Sequence, residues 1–275
     1  MIKKQKLLSL SLILAISFLV ACNSSTEDNA AETERPVDES EITSAQSQSE
    51  EIEESKEGNP SLTTEEVLEE TVSQINTSLP IWAPATMEIP EGNHLSAKTN
   101  TSNDSYEVEL YALNEPIPIN NEELGEQDSF ILFGVAEYES KEEAIEYIQS
   151  ELDGYLTFQG ESEEINLGYN IPGQIQAGTG HAGIRWSIGN WELRSVANGD
   201  QIKEAEPVAK EMVELLQEIV LPAPEELGTV FINQDHEEGT VTEVYYQVGS
   251  HVINVYSDSL TPDEVLETVA KMEEW

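Results

Sequence analysis

The chain predicts an α+β fold: a mostly antiparallel sheet built from hairpins, each followed by a covering helix, and preceded by a disordered acidic tether. Three observations carry this. Several short runs alternate polar and apolar residues, the period of two that a half-buried strand requires. The dipeptides Gly189-Asn190 and Gly249-Ser250 separate two pairs of such runs and read as tight hairpin turns. A helical pattern with one apolar stripe follows each pair. Helices gathered on one face of an antiparallel sheet bury both the stripe and the sheet.

The first element is an address. Lys3, Lys4 and Lys6 precede a run from Leu7 to Ala21 that holds no charge. A basic start, a short apolar core and a small residue before a cut make residues 1–21 a secretory signal peptide. As a helix the run reaches about 22 Å at about 1.5 Å per residue, short of the roughly 30 Å of bilayer hydrocarbon. It ends in Leu19-Val20-Ala21-Cys22, which carries the only cysteine of the chain. This stretch resembles the lipobox of bacterial lipoproteins. The resemblance covers residues 1–22 and implies cleavage between Ala21 and Cys22, a diacylglyceryl group on Cys22, and anchoring on the extracytoplasmic face of the cell membrane. Two acyl chains hold a protein stably where one does not. A lone cysteine has no intramolecular disulfide partner, and a free thiol outside the cell is a reactive liability. An ordinary signal peptide with a chance cysteine is the alternative.

Residues 22–59 read as the lipidated cysteine and its tether. Residues 23–59 hold twelve acids against Arg35 and Lys56, with Val37, Ile42 and Ile52 among few apolar side chains. Such a segment buries too little surface to offset the entropy of ordering. A flexible coil of this length spans roughly 33 Å, enough to hold a domain off the bilayer. The run Glu50-Glu51-Ile52-Glu53-Glu54 reads as part of a solvated, self-repelling linker.

Residues 60–275 are the globular part. Thr63-Thr64-Glu65-Glu66 has the form of a capping box, with Val67, Leu68, Thr71, Val72 and Ile75 on one helical face. Leu79-Pro80-Ile81-Trp82-Ala83-Pro84 is extended, because residues before proline avoid helix. Pro90-Glu91-Gly92-Asn93 is a turn. Tyr106 to Tyr111 alternates as a strand, and Ile117 to Asn120 continues it as an edge strand that tolerates Pro116 and Pro118. Phe130 to Ala136 is the most apolar run past the leader and reads as a buried strand. Ser140 then caps a helix facing Ala144, Ile145, Ile148 and Leu152 inward. Residues 156–158 and 165–167 are weaker strands.

Trp186-Ser187-Ile188 and Trp191 to Val196 form the first hairpin, and Ala205, Val208, Ala209, Met212, Leu215, Leu216 and Ile219 mark its helix. Val230 to Ile232 and Val241 to Val248 lead into the second turn, followed by the strand His251 to Tyr256. Thr261-Pro262-Asp263-Glu264 starts a last helix with Val265, Leu266, Val269 and Met272 buried. Strand, tight turn, strand and helix thus occur twice, sixty residues apart, as two similar halves in pattern with little identity.

The stretch from Leu79 to Pro84, then Ile89-Pro90-Glu91-Gly92 and the Tyr106 strand, also resembles an uncharacterised exported α+β domain. That domain occurs in Gram-positive endospore formers, in lipoproteins and behind the membrane anchors of anti-sigma-factor-like proteins. The family has no accepted catalytic residues, so the resemblance implies fold and location only, with a role in envelope assembly or sporulation by analogy.

Chemistry is sparse. The chain carries 55 acidic and 12 basic residues, a formal net charge of −43, and loss of the leader removes three lysines and no acid. That field opposes nucleic acid and anionic lipid headgroups. Gly178-Thr179-Gly180-His181-Ala182-Gly183 matches the glycine pattern of dinucleotide loops. That chemistry requires a helix N-terminus for the pyrophosphate, whereas Ile184 to Ile188 alternates as a strand, so the segment reads as a glycine-rich loop. His94, His181, His236 and His251 show no metal spacing. Asp235-His236-Glu237-Glu238-Gly239 lacks the ligand order of a calcium loop. No Gly-x-Ser-x-Gly surrounds a serine.

Candidate binding residues are therefore Trp186 and Trp191, which bracket a two-residue turn, together with Gly178 and Gly180. Aromatic residues in this position serve either a core or a ligand platform. The expected function is a membrane-tethered binding or interaction module without enzymatic activity, cofactor or metal, whose partner is an envelope protein or small ligand. The alternative is an envelope hydrolase using a carboxylate pair that only a fold can single out among the 43 acids of residues 60–275.

Overall fold

A computed structural model describes residues 62–155, 162–177, 181–198, 202–236 and 239–275. Ala21, Cys22, the tether, the strand expected at 156–158 and the loop glycines Gly178 and Gly180 lie outside the described residues, all of which belong to one unit, Lys56–Trp275.

Helix α1 (Thr64–Gln74) opens on the expected capping box. The Glu66 N–H donates to Thr63 Oγ1 at 3.2 Å, and the Thr63 N–H donates to Glu66 Oε2 at 2.8 Å. Strand β1 (Trp82–Pro84) follows. Then come β2 (His94–Thr101), β3 (Ser105–Leu113), β4 (Ile131–Glu137) and helix α2 (Lys141–Tyr155). Strands β5 (Glu163–Asn166), β6 (Pro172–Ala177), β7 (His181–Ile188) and β8 (Trp191–Asn198) lead to helix α3 (Ile202–Leu215). The last group is β9 (Gly228–His236), β10 (Gly239–Val248), β11 (His251–Ser257), helix α4 (Pro262–Ala270) and β12 (Met272–Glu274).

Ten strands form one sheet in the order β2-β3-β4-β11-β10-β9-β8-β7-β6-β5, and β1 pairs with β12 beside it. All neighbours in the large sheet are antiparallel except β8 and β9. Parallel neighbours need a crossover, and α3 supplies it. The repeated unit is larger than the sequence pattern indicates: a three-strand meander and a helix, present as β2-β3-β4-α2, β6-β7-β8-α3 and β9-β10-β11-α4. Both predicted turns are two-residue turns with a left-handed glycine, Gly189 at φ 59° and Gly249 at φ 62°.

One sheet face carries the main core. Val108, Phe133, Val255, Val244, Val230, Leu193 and Trp186 line up across it strand by strand. Helices α1, α3 and α4 cover it with Val67 and Leu68, with Ala205, Ala209, Met212 and Val213, and with Val265, Leu266 and Val269. Helix α2 lies on the opposite face, which departs from the expectation of helices on a single face. Its Ala144 and Ile148 pack on Val252 in a separate small cluster, with Tyr138, Tyr147, Leu227 and Tyr245 around it. Topology gives the reason. The chain must travel from β4, third in the sheet, to β5 at the far edge, and α2 crosses β11, β10 and β9 on the way.

Two further differences have physical causes. Strand β2 carries a largely polar sequence (HLSAKTNT) and β6 one with proline and glycine (PGQIQA), and both conceal their alternation. The segment Ile117–Asn120 is not a strand. Asn120, at φ 60°, instead closes the outer edge of β2: its N–H donates to Ala97 O at 2.9 Å, and its Oδ1 accepts the Thr99 N–H at 2.7 Å.

Candidate functional site

The polar side chains gather on the face that α2 crosses. Strand register makes one continuous row there. From the β5 side it runs Glu164, Gln174, Arg185, Arg194 and Phe231. It continues through Glu243, Tyr256, Leu132, Glu109 and Lys98 to the opposite edge.

Arg185 and Arg194 stand directly opposite on neighbouring strands, an arrangement of like charges that destabilises a sheet unless each is partnered. Arg194 is 5 % exposed, and both its Nε and Nη2 donate to Glu192 Oε1, at 2.7 and 2.6 Å. Arg185 Nη2 donates to Gln174 Oε1 at 2.6 Å. A buried guanidinium held by a carboxylate is a strong, orienting contact.

Glu243 is 6 % exposed, and Tyr245 OH donates to its Oε2 at 2.9 Å. The same device recurs on β3, where Tyr111 OH donates to Glu109 Oε2. In both cases residues i and i+2 share a face because the strand period is two. Tyr138, Tyr147 and Tyr245 continue from Glu243 as an aromatic chain, with ring centroids 5.2 and 6.1 Å apart.

Burial and like charge shift these groups. The Glu151 carboxyl on α2 is raised, first by burial and then by Glu243. Glu107 is raised by burial and by Glu109, with Lys98 opposing. The Tyr147 phenol is pushed up to about 12 by burial, then by Glu151 and Glu243. Tyr245, Tyr138 and Tyr111 move upward too, each mainly by burial. The phenols thus remain proton donors at neutral pH.

Glu243 lies on the sheet beneath α2, and Glu151 on α2 itself. Two open concavities are lined by other residues: Gln127, Asp128, Ser129, Asp258 and Ser259 in one, and Ala112 to Glu115, Ile117, Gln127 and Asp128 in the other. Among the described residues no group of three or more His, Cys, Asp or Glu side chains is arranged to hold a metal ion, and no helix is long and apolar enough to cross a membrane.

The core takes both tryptophans that sequence reasoning offered to a ligand. Trp186 is 2 % and Trp191 7 % exposed. The two-residue turn explains it: Ile188 pairs with Trp191, and Trp186 shares the face of Ile188, so both rings point to the same, covered side. Trp191 Nε1 donates to Pro222 O at 3.1 Å. Its ring lies over Gly228, where a Cβ would come within 2.7 Å of it. Sequence reasoning missed Glu243, Tyr245, Glu109, Tyr111 and Arg194. The repeated Glu-x-Tyr spacing, at 109–111 and 243–245, is the signal that marks four of them.

No protein-family model, no curated protein and no solved structure matches the chain.

Proposed function

We propose that the protein is a membrane-tethered extracytoplasmic lipoprotein, anchored through diacylglyceryl on Cys22, whose folded part is a binding or interaction module rather than an enzyme. The observation that carries the reading is Leu19-Val20-Ala21-Cys22 followed by an acidic spacer. Placement of the acids supports the second half of it. Glu243 is buried beneath α2, the helix that carries Glu151, and neither acid lines the open concavities, whose acids are Asp128, Asp258 and Glu115. A hydrolase needs its acid and base within reach of one substrate. The second reading, an envelope hydrolase, requires a substrate to reach Glu243 past α2, the helix that carries Glu151.

Metabolic labelling with palmitate tests the anchor. Wild type carries label and sediments with membranes; Cys22→Ala loses both. A labelled, membrane-bound Cys22→Ala overturns the proposal. Photocrosslinking of the anchored protein on intact cells tests the module and is expected to yield a discrete adduct. Hydrolysis of envelope polymers that Glu243→Gln abolishes, in a variant that folds normally, would transfer the assignment to the hydrolase.

A further inference from the structure

The two edges of the ten-stranded sheet are treated differently. The outer edge of β2 is closed by Asn120, whose Nδ2 is itself fixed by Gln74 Oε1 at 2.8 Å. The outer edge of β5 has no such closure among the described residues. Register decides which of its groups face out. Pro172, opposite Asn166, has no N–H, and the Leu167 N–H donates to Ile171 O at 3.0 Å. Leu167, Ile165 and Glu163 therefore face β6, and the backbone N–H and C=O of Glu164 and Asn166 point away from the sheet. The side chain of Asn166 accepts the Gly168 N–H at 2.9 Å.

We infer that β5 is a docking edge, completed by an extended segment of a second protein in which basic and apolar residues alternate. The inference rests on the interaction-module reading and names the class of partner. Outward amides and carbonyls pair with an added strand, and side-chain chemistry sets its identity. Glu164 is exposed on the polar face, while Ile165 lies on the core face beside Ile175, half-buried. An added strand thus meets a carboxylate on one side and aliphatic surface on the other. Glu163 is exposed on the core-face side. A second copy of this chain would set these glutamates against themselves. The chain's own tether, with twelve acids, would be repelled. Charge complementarity leaves a cationic strand.

The experiment uses the full-length lipoprotein in detergent micelles and three labelled hexapeptides: alternating Lys-Val, alternating Glu-Val, and a Lys-Val peptide with a central proline. Fluorescence anisotropy is expected to show binding of the Lys-Val peptide, weakened by salt. The Glu-Val and proline-broken peptides are expected to bind at least tenfold more weakly. Hydrogen exchange is expected to slow at the Glu164 and Asn166 amides. Glu164→Pro removes an outward N–H while sparing the ladder to β6, and a reduction of about tenfold is expected for one bond and one charge together. Glu164→Gln keeps the N–H and is expected to lose only a few-fold. Equal binding of both charge patterns, or an unaffected Glu164→Pro, overturns the inference. Protection at other amides overturns it while leaving the module reading intact. Protection at Glu164 and Asn166 that grows with protein concentration and needs no peptide assigns the edge to self-association instead. No binding of any peptide sinks the edge, and the crosslinking result then judges the module separately.

Discussion

The two faces of the sheet are stabilised by different physics. The face under α1, α3 and α4 is an apolar layer in which the largest side chains, Tyr246 and Phe133 among them, are fully buried. The face under α2 holds charged residues, phenols and a cluster with three buried apolar members. The first face resembles an ordinary interior and specifies the fold. The second is a polar layer whose groups satisfy one another along strands, as Arg194 does with Glu192 and Tyr245 with Glu243. Burial decides stability on one side, and protonation and pairing have a say on the other.

The largest way to expose this contrast is truncation. Phe133→Ala, at 1 % exposure, is expected to cost about 3–5 kcal/mol in denaturant unfolding. Ile148→Ala on α2 is also fully buried but faces the small cluster, and is expected near the lower end of its class, about 2 kcal/mol. Equal costs would erase the distinction between the faces. A third test uses pH. The Glu151 carboxyl is raised in the folded state, so the folded protein binds the extra proton and stability falls as pH climbs from the unfolded carboxyl value through the folded one. Unfolding midpoints are therefore expected to rise as the solution is acidified from neutral pH toward the ordinary carboxyl range. Glu151→Gln is expected to stabilise most at the alkaline end and flatten that slope. An unchanged slope would detach Glu151 from the effect. The smallest change is expected from Lys141→Ala. Its ammonium reaches Glu226 at 2.9 Å and Glu225 at 3.3 Å in the open, where pairing is screened, so the midpoint should hardly move.

How much of this was legible follows from the range of each signal. Turn chemistry is local, so both glycine turns were readable. The Thr63 capping box and the apolar run of β4 were readable for the same reason. Strand β2 was not, because Lys98, Thr99 and Asn100 look like loop until Glu109, Val108 and Glu107 are set beside them. Strand β12 was taken as the end of a helix, since its partner β1 lies at the other end of the domain. The polar row is a product of register across ten strands, which no single segment contains. The burial of Trp186 and Trp191 could have been read, because a two-residue turn fixes which face each side chain joins.

The order of the meanders has a consequence for how the chain is assembled. The unit made last, β9-β10-β11, lies between the other two: β11 pairs with β4 and β9 with β8. The bond from Ser257 Oγ to Phe130 O, 2.7 Å long, joins residues 127 apart. Until the third unit arrives, the first has the inner edge of β4 unpaired, its apolar Phe133 and Val135 without their β11 neighbours. Late, non-local pairing of this kind slows folding and leaves strand edges open to wrong partners. The final segment thus acts as a keystone, and a chain interrupted before β9 would hold two meanders with nothing to join them.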